Sequence, residues 1–401
     1  MAQDIIGSMV LAIWLYLIAA RGGFWRAAER DDARLPPEAT AMPTVMPTVM
    51  QWPPVSAVVP ARDEAETVGD TIGSLLRQDY PGTFNVILVD DQSRDATADV
   101  ARAAAAALGA SERLTVISGR LLPAGWTGKL WAQRQGVEFA CSMPRAPDYL
   151  LFTDADIVFE RGAVASLVAR AGHEHLVLNS LMVKLRCKSF AECMFVPAFV
   201  FFFQMLYPFA WANDPRRETA AAAGGCMLVR RETLQAAGGL AAIRGALIDD
   251  CALAKLLKPH GPIAIALTER AHSRRAYPSV RDIRSMVSRT AYAQLGYSPL
   301  VLAATILGLL VTYIAPVALA VFARGFAQFA GIFAWALMAG AFRPILRFYR
   351  MSWLTSWLWA VALPAIAAMY MAFTMDSAYQ HARGRGGMWK GRAQGNISEL
   401  R

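Results

Sequence analysis

Three short acidic motifs interrupt the apolar stretches of this 401-residue sequence. They are "VDDQSRD" with Asp90 and Asp91, "TDAD" with Asp154 and Asp156, and "LIDDCALAK" with Asp249 and Asp250. A carboxylate beside buried strand residues is costly unless a partner or a ligand compensates its charge. Any one of these motifs could be a helix cap or a turn, but three of them in one region predict a common site.

The spacing of these acids suits chemistry on a diphosphate. Two carboxylates that flank one residue at a strand end direct their oxygens toward one divalent cation. Mg²⁺ and Mn²⁺ prefer such oxygen ligands and keep coordination positions open for phosphate oxygens. The cation would neutralise the charge of a departing diphosphate, and a separate carboxylate would accept the proton of an attacking hydroxyl. The motifs therefore predict group transfer from a nucleoside diphosphate, with Mg²⁺ or Mn²⁺ as cofactor.

The elements that would position these acids alternate from residue 55 onward. Apolar runs typical of buried strands are each followed by a stretch with helical spacing. The runs are "VSAVVP" (55–60), "FNVILVD" (84–90), "LTVISG" (114–119) and "YLLFTD" (149–154). This alternation predicts an α/β fold with a mostly parallel, Rossmann-like sheet. Ligands of such sheets bind at the carboxyl ends of the strands, where the first two acidic motifs fall.

The chain as a whole is too apolar for an ordinary soluble enzyme, with 55% hydrophobic and 18% charged residues. Residues 5–20 predict a membrane anchor, and the arginines after them place its N-terminus outside and its C-terminal side in the cytoplasm. Three further spans are predicted at about 299–323, 326–342 and 353–374. Because Pro364 interrupts the last one, a re-entrant segment is an alternative there.

These features divide the chain into five predicted segments. They are a membrane anchor with a basic flank (1–30), a Pro-containing linker (31–54), a catalytic domain (55–297), C-terminal transmembrane helices (298–375) and a basic tail (376–401). The apolar run 195–212 lies inside the catalytic domain. Since later residues complete the same site, we interpret this run as an interfacial or acceptor-facing helix rather than a span.

The net charge of +9 is ascribed to basic loops beside anionic lipid headgroups, because no nucleic-acid-binding motif accompanies it. The basic stretch 274–289 is interpreted in the same way, as a membrane-surface segment. Five cysteines without a CxxC pair predict packing roles in a reducing compartment. No third ligand accompanies the "HEH" at 173–175, which is predicted to lie on the surface.

Six motifs between Val55 and Tyr297 resemble those of family 2 glycosyltransferases, which have the GT-A fold and invert the anomeric centre. The motifs are "VVPARDEAETV", "VDDQSRDAT", "GKLWAQRQG", "TDAD", "GGCMLVRR" and "LIDD". The anchor resembles that of the hopene-associated glycosyltransferases of bacteria, and so do the segments "PAFVFFFQMLYPFAW", "AHSRRAYPSVRDIRSMVSRTAYAQLGYSPL" and the terminal "WKGR". The resemblance implies sugar transfer from a UDP-sugar to a lipid hydroxyl, hopanoid in type, by a multi-pass protein of the bacterial inner membrane with a cytoplasmic catalytic domain.

The resemblance also implies the residues of a donor pocket. Asp91 would hold the uracil, and backbone near Pro60 and Arg62 would line the base. Glu64 and Lys129 would complete the pocket, with Lys129 near the base or the phosphates.

Four carboxylates receive the chemical roles by the same resemblance. Asp154 would face the ribose or the donor sugar and contribute with Asp156 to the metal site, and Asp156 would be the main metal ligand. Asp250 would be the general base. Asp249 stands where the family usually has a longer Glu, and its catalytic role is secondary.

The acceptor side rests on two glycines and on the helix before the spans. Gly224 and Gly225 would let backbone approach the acceptor. Many membrane members carry a Gln/Arg-x-x-Arg-Trp motif on that helix, whereas this chain has "RTAY", with Arg289 near the diphosphate and Tyr292 in place of the second Arg. This departure speaks against a processive polymerase and for addition of one sugar to a lipid.

Three alternatives remain at the level of the sequence. The first is a ceramide- or carotenoid-type glycolipid synthase, and the second is a polysaccharide synthase. The third is a transporter or a non-catalytic membrane scaffold with a degenerate transferase domain. A degenerate domain is disfavoured because all three acidic motifs persist, and a transporter is disfavoured because the predicted C-terminal spans carry almost no charge to line a pore.

Overall fold

The computed structural model describes residues 1–31 and 52–384, and the backbone of residues 388–389 and 392–393. Most of the predicted linker 31–54 and much of the predicted tail 376–401 lie outside the described residues. Internal contacts group the chain into two compact units. The sheet unit comprises residues 29–186, 211–275 and 388–401, and the helical unit comprises residues 1–28, 187–210 and 276–387. Each unit therefore collects stretches that are separate in the sequence.

An eight-stranded sheet forms the centre of the sheet unit. Its strands are β1 (Val55–Ala61), β2 (Phe84–Asp90), β3 (Leu114–Ser118), β4 (Tyr149–Phe152), β5 (Ile157–Phe159), β6 (Leu178–Lys184), β7 (Met227–Arg230) and β8 (Ile263–Ser273). Their spatial order is β3-β2-β1-β4-β7-β6-β8-β5. Strands β5 and β7 run antiparallel to their neighbours, and the other six share one direction. The predicted α/β fold with a mostly parallel sheet is confirmed.

Helices cover both faces of this sheet. They are Val68–Leu76, Thr97–Ala106, Gly128–Ser142, Ala163–His173, Arg231–Ala236 and Asp249–Leu257, with short 3-10 turns at Ser111–Arg113, Gly239–Ile243 and Lys258–His260. Successive residues of β1 belong to two different apolar cores, as side chains that alternate across a strand must. A Cβ built at Gly136 would lie 2.4 Å from Cγ1 of Val58. The helix that begins with Gly128 and Lys129 therefore lies as close to β1 as a glycine allows.

The segment that follows the N-terminal helix pairs with the sheet. The Leu267 N–H of β8 donates to the Glu29 carbonyl at 2.9 Å, and the Asp31 N–H donates to the Leu267 carbonyl at 3.0 Å. Arg30 forms a parallel bridge with Leu267 between these two bonds. The chain thus enters the sheet unit along β8, directly after its predicted anchor. At its other end, Met388–Trp389 pairs antiparallel with Arg392–Ala393.

Among the described residues of the helical unit, three helices are long and apolar enough to cross a membrane. They are Ala2–Ala19, Pro299–Phe322 (with a π turn at Leu310–Ile314) and Gly325–Phe348. Small residues bring the first and third together, since a Cβ at Gly7 would lie 3.2 Å from the Ala327 Cα. Helix Gly325–Phe348 extends beyond the predicted 326–342 because Arg343 stacks over the Trp357 ring, 4.0 Å from its centroid, rather than ending the span.

The last predicted span is bent. Helices Trp353–Val361 and Leu363–Ala382 meet at an angle of 56°. Pro364 sits in the first turn of the second helix, where its missing N–H interrupts the hydrogen bonds that a continuous helix would need. The prediction of one N-terminal and about three C-terminal apolar helices agrees with this unit if the bent pair counts as one.

The predicted run 195–212 is divided between two helices. Helix Phe190–Leu206 begins five residues earlier than predicted because Ser189 and Glu192 form a capping box, and helix Phe209–Asn213 follows after a break. Phe195 and Phe201 are fully buried within the helical unit. Two short helices, Val280–Ser288 and Ala291–Gln294, precede the next span, and Arg284 of the first pairs with Asp376 at 2.6 Å.

Candidate active site

A lysine and two carboxylates meet at the carboxyl end of β4. Lys129, in the first turn of helix Gly128–Ser142, places its Nζ 2.8 Å from Oδ1 of Asp154 and 3.1 Å from Oδ2 of Asp249. Asp154 lies two residues beyond the end of β4, and Asp249 opens helix Asp249–Leu257. Two acidic motifs almost a hundred residues apart in the sequence therefore share one cation.

The Lys129 side chain stays protonated. Burial would lower the pKa of Lys129, but the carboxylates of Asp154 and Asp249 outweigh burial and raise the pKa above its ordinary value. Lys129 consequently presents a fixed positive charge at the strand end, with Asp154 as its more exposed partner.

Asp250 occupies the position next to this cluster. It accepts the Gly224 N–H at Oδ2 (2.8 Å) and the Cys251 N–H at Oδ1 (2.7 Å). Burial and the charge of Asp249 raise the pKa of Asp250 to about 6, against the opposing effects of Lys129 and the two amides. The carboxyl is therefore ionised near neutral pH and still basic enough to take a proton, which is the property of a general base.

The two glycines before β7 have different reasons to be glycine. A Cβ at Gly224 would lie 3.1 Å from the Lys129 Nζ and 3.3 Å from Oδ2 of Asp250, so it would press on the cluster. A Cβ at Gly225 would lie 2.8 Å from Cγ2 of Val183, so the packing of β6 already excludes a side chain there. Thr153 ties this turn to β4 by donating to the Gly225 carbonyl at 2.9 Å.

Asp156 is held by residues from the end of β8. Its Oδ2 accepts the Ser273 hydroxyl at 2.9 Å and the Arg275 Nε at 3.1 Å, while an Arg275 Nη lies 2.6 Å from Oε1 of Glu64. Burial and the charge of Asp154 raise the pKa of Asp156, and Arg275 and Ser273 oppose them.

The sequence reasoning missed Ser273 and Arg275. The basic stretch 274–289 predicts a membrane-surface role for Arg274 and Arg275, and the structure corrects this prediction. Both arginines pair with carboxylates of the sheet unit, Arg274 with Asp70 at 3.2 Å and Arg275 with Asp156 at 3.1 Å. Two signals were available: both residues lie at the end of an apolar run, and both lie in the "AHSRRAYPSV" segment that resembles the family. Only the antiparallel pairing of Ile157 with Ser273 brings that strand end to Asp156.

The predicted nucleotide-binding residues lie at the ends of β1 and β2. Asp91 is fully buried, and its N–H donates to the Ala61 carbonyl at 2.8 Å. Arg62 is itself 6% exposed; one of its Nη atoms donates to the carbonyls of Asp91 and Gln92 and lies 3.9 Å from the Asp91 carboxylate. Pro60 pairs with a β2 residue within the sheet. These contacts give Asp91 a fixed orientation.

Two predicted site residues belong to the helical unit. Arg289 follows helix Val280–Ser288. Tyr292 is buried, its N–H donates to the Ser377 hydroxyl at 3.0 Å, and its ring contacts those of Tyr297 and His381. Their roles toward donor and acceptor stay predictions.

Asp154 and Asp156 fit a divalent-cation site whose remaining ligands come from the substrate. No three His, Cys, Asp or Glu residues form a metal-binding group within the part of the chain that the structure describes. Asp154 and Asp156 supply hard oxygens at one strand end, and Mg²⁺ is usually held by one or two carboxylates together with substrate phosphates. The donor set therefore suits Mg²⁺ or Mn²⁺ bound with a diphosphate.

Comparison with known proteins identifies relatives of this chain. The model of a family described as "Glycosyltransferase like family 2" matches residues 53–285, more than half of the chain. The 4,4'-diaponeurosporenoate glycosyltransferase of Staphylococcus aureus (strain USA300) is 33% identical over 115 residues. That match covers 28% of this chain and 27% of the relative, so the chain spans about a quarter of the length of the curated relatives it matches.

One solved structure shares the fold over nearly the whole chain. It is a mannosyltransferase from Pyrobaculum calidifontis in complex with GDP-Man and Mn²⁺. The two superpose with a TM-score of 0.51 over 94% of this chain and 99% of that one, at 19% sequence identity. At this identity the likeness is one of fold.

Proposed function

We propose that this chain, which belongs to the family described as "Glycosyltransferase like family 2", is a membrane-anchored inverting glycosyltransferase. It moves a hexose or N-acetylhexosamine from a UDP-sugar to a lipid hydroxyl on the cytoplasmic face of a bacterial inner membrane. The acceptor is a hopanoid-type lipid. The observation that carries this proposal is the position of Asp250 beside the cluster of Lys129, Asp154 and Asp249.

Asp250 is the general base in this proposal. The acceptor oxygen attacks the anomeric carbon from the face opposite the diphosphate, a C–O bond forms there, and the bond to the diphosphate breaks. The hydroxyl proton passes to the Asp250 carboxylate, whose raised pKa matches that task at neutral pH. A single displacement inverts the anomeric centre.

The donor side is assigned to the ends of β1 and β2. The buried carboxylate of Asp91 accepts a uracil N–H, held in place by Arg62 next to Pro60. Glu64 completes the donor pocket. Lys129 holds the sugar-diphosphate region through its fixed positive charge. Arg289 is assigned to the diphosphate on the ground of its sequence motif.

Asp156 and Asp154 would hold Mg²⁺ or Mn²⁺ together with diphosphate oxygens and water. When bound, the cation supplies positive charge against the charge that develops on the leaving diphosphate. The Mn²⁺ in the Pyrobaculum calidifontis complex supports this choice of cofactor. In the protein itself, the Asp154 carboxylate pairs with Lys129 and orients the donor sugar.

The acceptor side is assigned to the backbone at Gly224 and Gly225 and to Tyr292. Three apolar helices and a bent pair give the protein the means to reach a lipid substrate. The diaponeurosporenoate glycosyltransferase of Staphylococcus aureus favours a carotenoid-type glycolipid synthase as the second candidate. Both candidates use the same donor chemistry and differ in the acceptor.

The test is incubation of the purified protein with a bacterial membrane lipid extract and a panel of nucleotide sugars, including GDP-mannose. Mass spectrometry of the lipids should detect a polycyclic lipid one hexose or N-acetylhexosamine heavier with a UDP-sugar. A glycosylated carotenoid would select the second candidate. Release of UDP without any lipid product would refute lipid glycosylation.

A further inference from the structure

Arg275 joins two carboxylates of the candidate site. Its Nε lies 3.1 Å from Oδ2 of Asp156, and one Nη lies 2.6 Å from Oε1 of Glu64. Both carboxylates are mostly buried, with side chains 8% and 11% exposed. A buried carboxylate needs a positive or hydrogen-bonding partner, and in this structure the guanidinium provides it for both.

The same oxygen of Asp156 is also fixed by a second, neutral partner. The Ser273 hydroxyl donates to Oδ2 at 2.9 Å and accepts the backbone N–H of Arg275 at 3.2 Å. The Asp156 carbonyl accepts the Arg274 N–H at 2.7 Å. Asp156 is therefore held in place by uncharged contacts that do not depend on the guanidinium.

We propose that Arg275 is a positioning residue that neutralises Asp156 in the empty site and is exchanged for the divalent cation when the nucleotide diphosphate binds. This inference rests on the proposed function. A guanidinium and a divalent cation on one carboxylate repel each other, by an amount that is large where water is excluded. The Arg275 side chain is 34% exposed, so it has solvent to move into, whereas Ser273 is buried and stays.

The exchange makes metal binding depend on the donor. Without nucleotide, the divalent cation must displace Arg275 from Asp156, and no other negative charge replaces the ion pair that the guanidinium loses. With nucleotide, the diphosphate adds negative charge to the site and offsets the lost ion pair. The empty enzyme would thus bind the metal weakly and assemble its metal site when the sugar donor is present.

Mn²⁺ binding to the purified full-length protein tests this, followed by the loss of the free Mn²⁺ EPR signal with and without UDP. In wild type, UDP should tighten Mn²⁺ binding. Arg275→Gln, which removes the charge but keeps hydrogen-bonding groups, should bind Mn²⁺ alone about tenfold more tightly and gain less from UDP. Arg275→Lys, which keeps the charge, should behave like wild type.

Arg274→Gln is the matched control because it removes the same charge one residue away, from a side chain paired with Asp70. It should leave both dissociation constants unchanged. If Arg275→Gln binds Mn²⁺ without UDP no more tightly than wild type, the exchange is wrong and Arg275 is a fixed support of the site. An equal gain in Mn²⁺ affinity in Arg274→Gln would also overturn the exchange. Wild type that binds no Mn²⁺ even with UDP would overturn the metal assignment of the proposed function and the exchange with it. A melting curve excludes misfolded variants.

Discussion

Lys129 Nζ lies 2.8 Å from Asp154 Oδ1, which links the start of helix Gly128–Ser142 to the end of β4. The same Nζ reaches Asp249 at 3.1 Å. The Lys129 ammonium thus connects three elements that are separate in the sequence. The candidate base Asp250 directly follows Asp249 in the chain. The geometry of the site depends on this contact.

Replacement of Lys129 by Gln should therefore affect both fold and activity. It leaves Asp154 and Asp249 without their shared cation, which should lower the free energy of unfolding by about 1–3 kcal/mol. Sugar transfer should be lost at the same time. Thermal melting and product assays measure the two effects, and exposed Lys255, changed to Gln, is the control. Full activity in Lys129→Gln would contradict the assigned role.

The pH dependence of transfer should follow Asp250. The base works when deprotonated, so kcat/KM should fall about tenfold for each pH unit below its pKa of about 6 and stay level above it. Because the folded-state pKa is raised, the protonated form is favoured by folding, and that contribution to stability is lost as the pH rises through 6. A flat rate profile between pH 5 and 7 would assign the base elsewhere.

Removal of the metal should stop the reaction reversibly. EDTA should abolish turnover of the UDP-sugar by wild type, and Mn²⁺ should restore it. Asp156→Ala should remain inactive after Mn²⁺ is added, whereas Asp70→Ala, which removes an exposed carboxylate paired with Arg274, should recover. Rescue of Asp156→Ala by Mn²⁺ to wild-type rates would refute the metal assignment.

Substitution of Gly136 tests whether close packing of helix Gly128–Ser142 against β1 positions Lys129. A Cβ there would lie 2.4 Å from Val58 Cγ1, so Gly136→Ala should destabilise the fold by about 1–3 kcal/mol through overpacking. It should also reduce activity because the helix must shift with Lys129. Gly172, in helix Ala163–His173, has nothing within 4 Å of a built Cβ. Gly172→Ala should raise the free energy of unfolding by about 0.5–1 kcal/mol, and equal effects at both positions would contradict the packing account.

Strands β1 to β4 could be predicted from the sequence because each is a continuous apolar run. Acids at the ends of such runs in parallel strands meet at one edge, which is why Asp91 and Asp154 could be assigned to a site. The roles of these residues came from the family resemblance rather than from spacing.

Other features depend on pairing between distant residues. The contact of Arg275 with Asp156 requires the antiparallel register of β5 and β8, with Ile157 opposite Ser273, and no local pattern encodes that register. The bend before Pro364 and the early start of helix Phe190–Leu206 did have local signals, a helix-interrupting proline and a capping box. The proline supports the re-entrant alternative for the last span, whereas the capping box lies outside the apolar run 195–212 from which that helix was predicted.

The most direct test of the central claim is sugar transfer by Asp250→Asn, measured beside UDP-sugar binding. The variant should bind the donor with wild-type affinity and lose transfer to lipid by about 10²- to 10⁴-fold, detected as absence of the glycosylated lipid in mass spectra. Transfer at the wild-type rate by a variant that binds the donor normally would contradict the account of this site.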